Sequence, residues 1–110
     1  LVGKYADGGW ADDQVATWDG SYVDLLTAEV AYEVEWADKW KEAPGQALLY
    51  GVMTARRPGV ILLVREGVSD NDRLLQRRYA YRCAIACTAA EIELRTESIA
   101  PLPTPPGAVP

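Results

Sequence analysis

Residues 19–50 read DGSYVDLLTAEVAYEVEWADKWKEAPGQALLY, and the period of the apolar residues changes part-way along this stretch. From Val30 to Ala37, the residues Val30, Tyr32, Val34 and Trp36 alternate with Ala31, Glu33, Glu35 and Ala37. A period of two with one apolar and one acidic face predicts a strand. Between Lys39 and Arg57, Leu48, Leu49, Val52 and Met53 recur at helical spacing, and Pro44 suits the first turn, where its missing N–H costs nothing. Pro58-Gly59 is expected to stop that helix. Upstream, Asp19-Gly20 separates Val15–Trp18 from Ser21–Thr27, a two-residue hairpin signal that needs positive φ.

Working outward, Val60–Arg65 is a β-branched and leucine run of strand length, suited to burial on both faces. Asp70 or Asn71 can cap a helix running to about Ala86, and Glu91–Thr96 alternates as a last strand. The order β-β-β-α-β-α-β contains helical crossovers, so the expectation is an α/β fold: a mixed β-sheet flanked by helices. Residues 1–13 are rich in Gly and Asp without periodicity and read as a loop or arm. Residues 14–97 read as the domain, and 98–110, ending in APLPTPPGAVP, as an extended Pro-rich tail.

Composition excludes several chemistries. The 110 residues fit one domain with its own core. There is no His, which removes imidazole bases, His-metal sites and Ser-His-Asp triads. A metal would need oxygen ligands, favouring Mg2+ or Mn2+ over zinc. Cys83 and Cys87 lie four apart in an apolar helical segment and read as buried small hydrophobes, consistent with a reducing cytoplasm. No apolar run is long enough to cross a bilayer, and the first ten residues lack the apolar core of a signal peptide.

The net charge of −5 argues against indiscriminate coating of nucleic acid. Its distribution is uneven. Acids gather in residues 7–42, whereas Arg73, Arg77, Arg78 and Arg82 fall within ten positions on one expected helix, and Arg56 and Arg57 close the preceding one. The arginines suit either phosphate contacts or a solvated helix face. Asp24, beside Leu25 and Leu26, is a costly residue to bury alone. A divalent cation shared by Asp24, Glu33 and Glu35 would offset that cost. The alternative is that Glu33 and Glu35 face solvent on an edge strand, that Lys39 and Lys41 snorkel beside Trp36 and Trp40, and that Gln46 and Tyr50 are ordinary helix neighbours.

The succession Asp24, Glu33-Val34-Glu35, Lys39 and Gln46-x-x-x-Tyr50 resembles the PD-(D/E)XK nuclease superfamily, the restriction-endonuclease-like fold, and in particular its small bacterial and phage members. The similarity spans roughly residues 19–65, with compatible element order to about 97. The resemblance implies an α-β-β-β-α-β core with acids on its second and third strands. It implies Asp24, Glu33 and Glu35 as Mg2+ or Mn2+ ligands, with Glu35 as ligand or proton acceptor. It further implies Lys39 as the group that orients water or offsets phosphorane charge, and Gln46 as a hydrogen-bonding support to the metal site. Glu35 stands where the usual lysine would be, so Lys39 is the first replacement and Lys41 the second. The family's opening helix is not visible in residues 1–13.

On this resemblance the chain is expected to be a Mg-dependent nuclease hydrolysing DNA phosphodiesters, a homodimer in the cytoplasm of a bacterial or phage-infected cell. Arg73, Arg77, Arg78, Arg82 and Tyr50 are the expected nucleic-acid contacts. The alternative is a catalytically lapsed nuclease-fold protein acting as a binding or assembly module. A third, an acidic DNA mimic, rests on charge alone.

Overall fold

The computed structural model describes residues 2–5, 11–17 and 19–100. The hairpin forms where expected, but Thr17 stands opposite Ser21 in register, so the loop is one residue longer than the two-residue Asp19-Gly20 turn expected. Gly20 takes φ +88°, Thr17 N–H donates to Ser21 O at 2.7 Å, and the Asp19 carboxylate accepts from the Thr17 hydroxyl, the Ser21 hydroxyl and the Ser21 N–H. Those three bonds hold the Asp19 carboxyl low, at about 2, and pin the turn that pairs β1 (Ala11–Ala16) with β2 (Tyr22–Thr27). The first strand therefore starts at Ala11, inside the stretch expected to be a loop, and ends before the expected Val15–Trp18 run is complete. Residues 2–5 form a single helical turn, α1 (Val2–Tyr5).

β3 (Val30–Trp36) leads through a 3-10 segment (Ala37–Glu42) into α2 (Ala43–Thr54), with Pro44 in its first turn as expected. The helix does not reach Arg57. Ala55 adopts a left-handed conformation, φ 54°, and its N–H returns to Gly51 O and Val52 O, closing the helix before the proline. Pro58 and Gly59 instead lie within β4 (Arg57–Arg65). α3 (Asp70–Ala89) is capped by Ser69, whose Oγ accepts from Asp72 N–H at 3.1 Å; Asp70 and Asn71 are already inside the helix. β5 (Glu93–Ile99) runs past the expected Thr96, so Ser98 and Ile99 belong to the sheet and not to a tail. The Pro-rich run at 101–110 lies outside the described residues.

The result is α/β: one five-stranded mixed sheet in the order β1-β2-β3-β4-β5. The first three strands are an antiparallel meander, and β4 and β5 pair in parallel through the two helical crossovers. β4 is an interior strand, between β3 and β5, with Val60, Ile61 and Leu62 fully buried, as its uniform apolar run requires. Its two faces are covered unequally. Val60 and Leu62 pack with Ala37, Ala43 and Ala47 and with Cys83 and Cys87, so α2 and α3 share one face. Ile61 packs with Leu25, Tyr32 and Tyr5 on the other, where α1 lies. The cysteines are free buried thiols, 3.9 Å apart at sulfur. No helix among the described residues is long and apolar enough to cross a membrane.

α1 is tied to the sheet by more than packing. Tyr5 packs on Tyr32 with the rings tilted by 50° and their centroids 5.5 Å apart, and its hydroxyl donates to Glu97 at 2.5 Å. Lys4 pairs with the same carboxylate, and the Arg95 guanidinium sits 5.2 Å over the Tyr5 ring. These contacts hold the helical turn against β5, some ninety residues away in sequence.

Candidate functional site

The β2–β3 ladder is short. It holds only the pairs Leu25↔Tyr32 and Leu26↔Ala31, although both strands continue beyond them. Past this point the strands separate, and the Asp24 carboxylate takes the place of a backbone acceptor: its Oδ2 accepts from Val34 N–H at 2.9 Å. Its Oδ1 accepts from Gln14 Nε2 at 3.3 Å. Gln14 lies on β1 between the pairs Asp13↔Leu25 and Val15↔Val23, hence opposite Asp24, and its φ of 51° is left-handed for a residue with a side chain.

Glu33 fills the split. The alternation that suggested an acidic solvent face instead turns Ala31 and Glu33 toward α2, and both are buried, Glu33 at 8% exposure. Burial pushes its carboxyl from 4.5 to about 8. The Asp24 charge adds to this, and the Glu35 charge adds less. The Tyr50 hydroxyl opposes the shift by hydrogen bonding to the carboxylate, and burial beside Glu33 and Asp24 raises the Tyr50 phenol to about 12. One Glu33 oxygen, Oε2, is buried without a hydrogen-bond partner. An orphan carboxylate oxygen beside a second carboxylate can be relieved by a proton or a cation.

The third acid is disposed differently. Glu35 Oε1 accepts from the N–H of Trp36, the next residue, at 2.9 Å. Among the described residues no group of three or more Asp, Glu, Cys or His side chains is arranged to hold a metal ion. The expected trio is thus a close pair, Asp24 and Glu33, with Glu35 near enough to act electrostatically but folded onto its own strand. Asp24 and Glu33 suit a hard cation, since the orphaned oxygen and the mutual repulsion are what an oxygen-binding ion would relieve.

The other expected residues lie on the 3-10 segment, α2 and α3. Lys39 is exposed in the 3-10 segment, at a non-helical φ of −111°, and Lys41 is exposed two positions on. Gln46 is exposed one turn before Tyr50 on α2. Tyr50, expected at a nucleic-acid surface, is buried at 7% exposure and addresses Glu33. Arg73, Arg77, Arg78 and Arg82 are all exposed on α3; Arg73 is bound to Asp70 at 2.5 Å and to Gly67 O at 3.0 Å. Gln14 was not among the sequence candidates. The signal for it lay in the Asp19-Gly20 turn, whose register sets position 14 across from position 24.

Set beside known proteins, the chain matches no family model, and no curated protein or solved structure is significantly similar to it.

Proposed function

We propose that the chain is a Mg2+- or Mn2+-dependent nuclease that hydrolyses DNA phosphodiester bonds, built on a restriction-endonuclease-like fold. The observation that carries this reading is the buried Glu33 carboxylate, with one unsatisfied oxygen, facing Asp24 where β2 and β3 part. The order α1-β1-β2-β3-α2-β4 supports it, because it puts Asp24 on the second strand and Glu33 on the third. Asp24 and Glu33 would hold the ion, which when bound supplies an acidified water and polarises the scissile phosphate. The chain's own residues prepare that site. Val34 N–H and Gln14 fix the Asp24 carboxylate, and Tyr50 hydrogen-bonds Glu33 and favours its charged form. Exposed Lys39 is the cation nearest in sequence for offsetting charge on phosphate, and the α3 arginines offer backbone contacts.

A homodimer belongs to the same reading, since 110 residues cover little duplex. α2 carries no charged residue, and its exposed Leu48, Leu49 and Val52 form a stripe at helical spacing.

The test is nicking of supercoiled plasmid with Mg2+ or Mn2+. Asp24→Asn keeps an acceptor for Val34 N–H and removes the charge, so it should lower nicking at least about a hundredfold, the upper range for disturbing a metal's supporting partners. No nicking by the unaltered chain would reject the reading. One observation favours the second reading, a lapsed nuclease fold serving as a binding or assembly module: Glu35 is committed to Trp36 N–H instead of to its neighbours. Calorimetric titration with Mn2+ separates the two, heat being released and lost in Glu33→Gln only if the ion site works.

A further inference from the structure

We propose that the crevice between the C-terminal end of β4 and the first turns of α3 binds a phosphate monoester group, held by Gln76 and Arg77. The crevice is a cavity of about 360 Å³ at the carboxyl end of a parallel strand, where sheets of this kind open toward a helix N-terminus. Arg65 lines it from the strand end, Glu66 and Gly67 from the segment that follows, and Arg73, Gln76 and Arg77 from the helix. Of its three arginines, Arg73 pairs with Asp70 and Arg65 lies 4.9 Å over the Trp36 ring, which leaves Arg77 to a ligand.

Gln76 is the decisive side chain. It continues the buried stripe of Cys83 and Cys87 toward the helix start, where an apolar residue would complete the core. It is instead an amide at 6% exposure, lining the cavity and without a hydrogen-bond partner among the described residues. Its polar atoms are not sealed from solvent, so the amide opens to the crevice, where a ligand can meet it. Arg77, next to it, also has no partner among the described residues.

The rest of the crevice is fixed in shape. A Cβ at Gly67 would lie 2.5 Å from Arg73 Cγ and 2.6 Å from its backbone nitrogen, so only glycine lets the strand exit close over the helix. That approach lets Arg73 donate to Gly67 O while its other nitrogen neutralises Asp70 at the rim. The remaining acid, Glu66, is exposed.

The ligand class follows from the donors. A guanidinium fork matches two oxygens of a phosphate. An amide both donates and accepts, and a phosphate monoester, whose second pKa is about 6, carries a P–OH for part of the time near neutrality. A diester has no such proton to give the amide carbonyl. The shared chemistry has two sources, a phosphorylated strand end or a free mononucleotide. Only the former rests on the nuclease reading.

The test uses the full chain without divalent metal, titrated by NMR or calorimetry. The probes are inorganic phosphate, deoxyadenosine monophosphate, and two single-stranded oligonucleotides differing only in a terminal phosphate. Terminal phosphorylation should tighten binding about tenfold, a ratio lost in both Gln76→Leu and Arg77→Ala. Gln76→Leu completes the apolar stripe and should melt no lower than the parent, so loss of binding there is not loss of fold. Equal affinity for the two oligonucleotides, with saturable binding of monophosphate that both variants abolish, assigns the site to free nucleotides. No saturable binding of any probe, or binding unchanged in both variants, overturns the inference. Asp24→Asn should leave this binding intact, so the site and the nuclease reading fail separately.

Discussion

Substituting Glu33→Gln isolates the charge buried between β2, β3 and α2 without changing its shape. The Glu33 carboxyl rises from 4.5 to about 8 on folding, through burial first and the Asp24 charge second. Between those two values the folded chain holds a proton that the unfolded chain releases. Stability is therefore full below about pH 4.5 and is lost as pH climbs through 8. At roughly 1.36 kcal/mol per pH unit the full linkage is about 5 kcal/mol. Asp24 leaves the cleft half open to water, so solvent screening cuts this to about 2–3 kcal/mol. For a domain of this size, that lowers the melting temperature by roughly 10 °C.

The assay is thermal unfolding at intervals from pH 5 to pH 9 in chelator. The tyrosines with raised values, Tyr32 and Tyr50 at about 12, titrate above this window. The parent should lose stability across the window and the glutamine variant should not. The two should be equal near pH 5, with the variant ahead at pH 9. Adding Mn2+ at pH 9 should restore the parent alone, by about 2.7 kcal/mol at a hundred times the dissociation constant. Parallel melting curves at every pH would refute a buried, proton-hungry Glu33 and with it the ion site.

Removing the Tyr50 hydroxyl by Tyr50→Phe takes away the one interaction that lowers the Glu33 value, so the acidic limb of the nicking rate should move to higher pH, with a stability loss of about 1–2 kcal/mol by calorimetry. Leu62→Ala empties the fully buried centre of the helix-covered face and should cost about 3 kcal/mol in urea unfolding, with the slope unchanged. Val52→Glu puts a charge on the exposed α2 stripe; sedimentation should show a monomer where the parent is a dimer, with melting shifted by no more than about 0.5 kcal/mol equivalent. A parent that sediments as a monomer removes that surface from consideration.

Local chemistry made several parts of this fold legible. Gly20 marks a hairpin because the turn needs a positive φ there, and the run Val60–Leu63 specifies an interior strand because both of its faces must be apolar. Pro44 marks the first turn of α2. Other boundaries were set by tertiary contacts. Pro58-Gly59 punctuates a helix in isolation, but parallel pairing of Arg57 with Val30 and Pro58 with Ala31 draws both into β4. The strand at Ala11–Ala16 has little alternation of its own and exists because β2 offers it a partner. α1 has no helical signal in four residues; its docking rests on Tyr5 and Lys4 finding Glu97 across the sheet.

The same division holds at the cleft. Sequence alone named Asp24, Glu33 and Glu35 and spaced them on adjacent strands, because side-chain alternation is a property of the strand itself. It also fixed the absence of imidazole, which limits any metal here to oxygen ligands. Which carboxylates meet, and which is buried, depended on α2 covering Glu33, on β2 parting from β3 at Asp24, and on Glu35 finding the nearer N–H of Trp36. Those outcomes turn on distances between segments far apart in the chain, and periodicity along one segment carries no information about them.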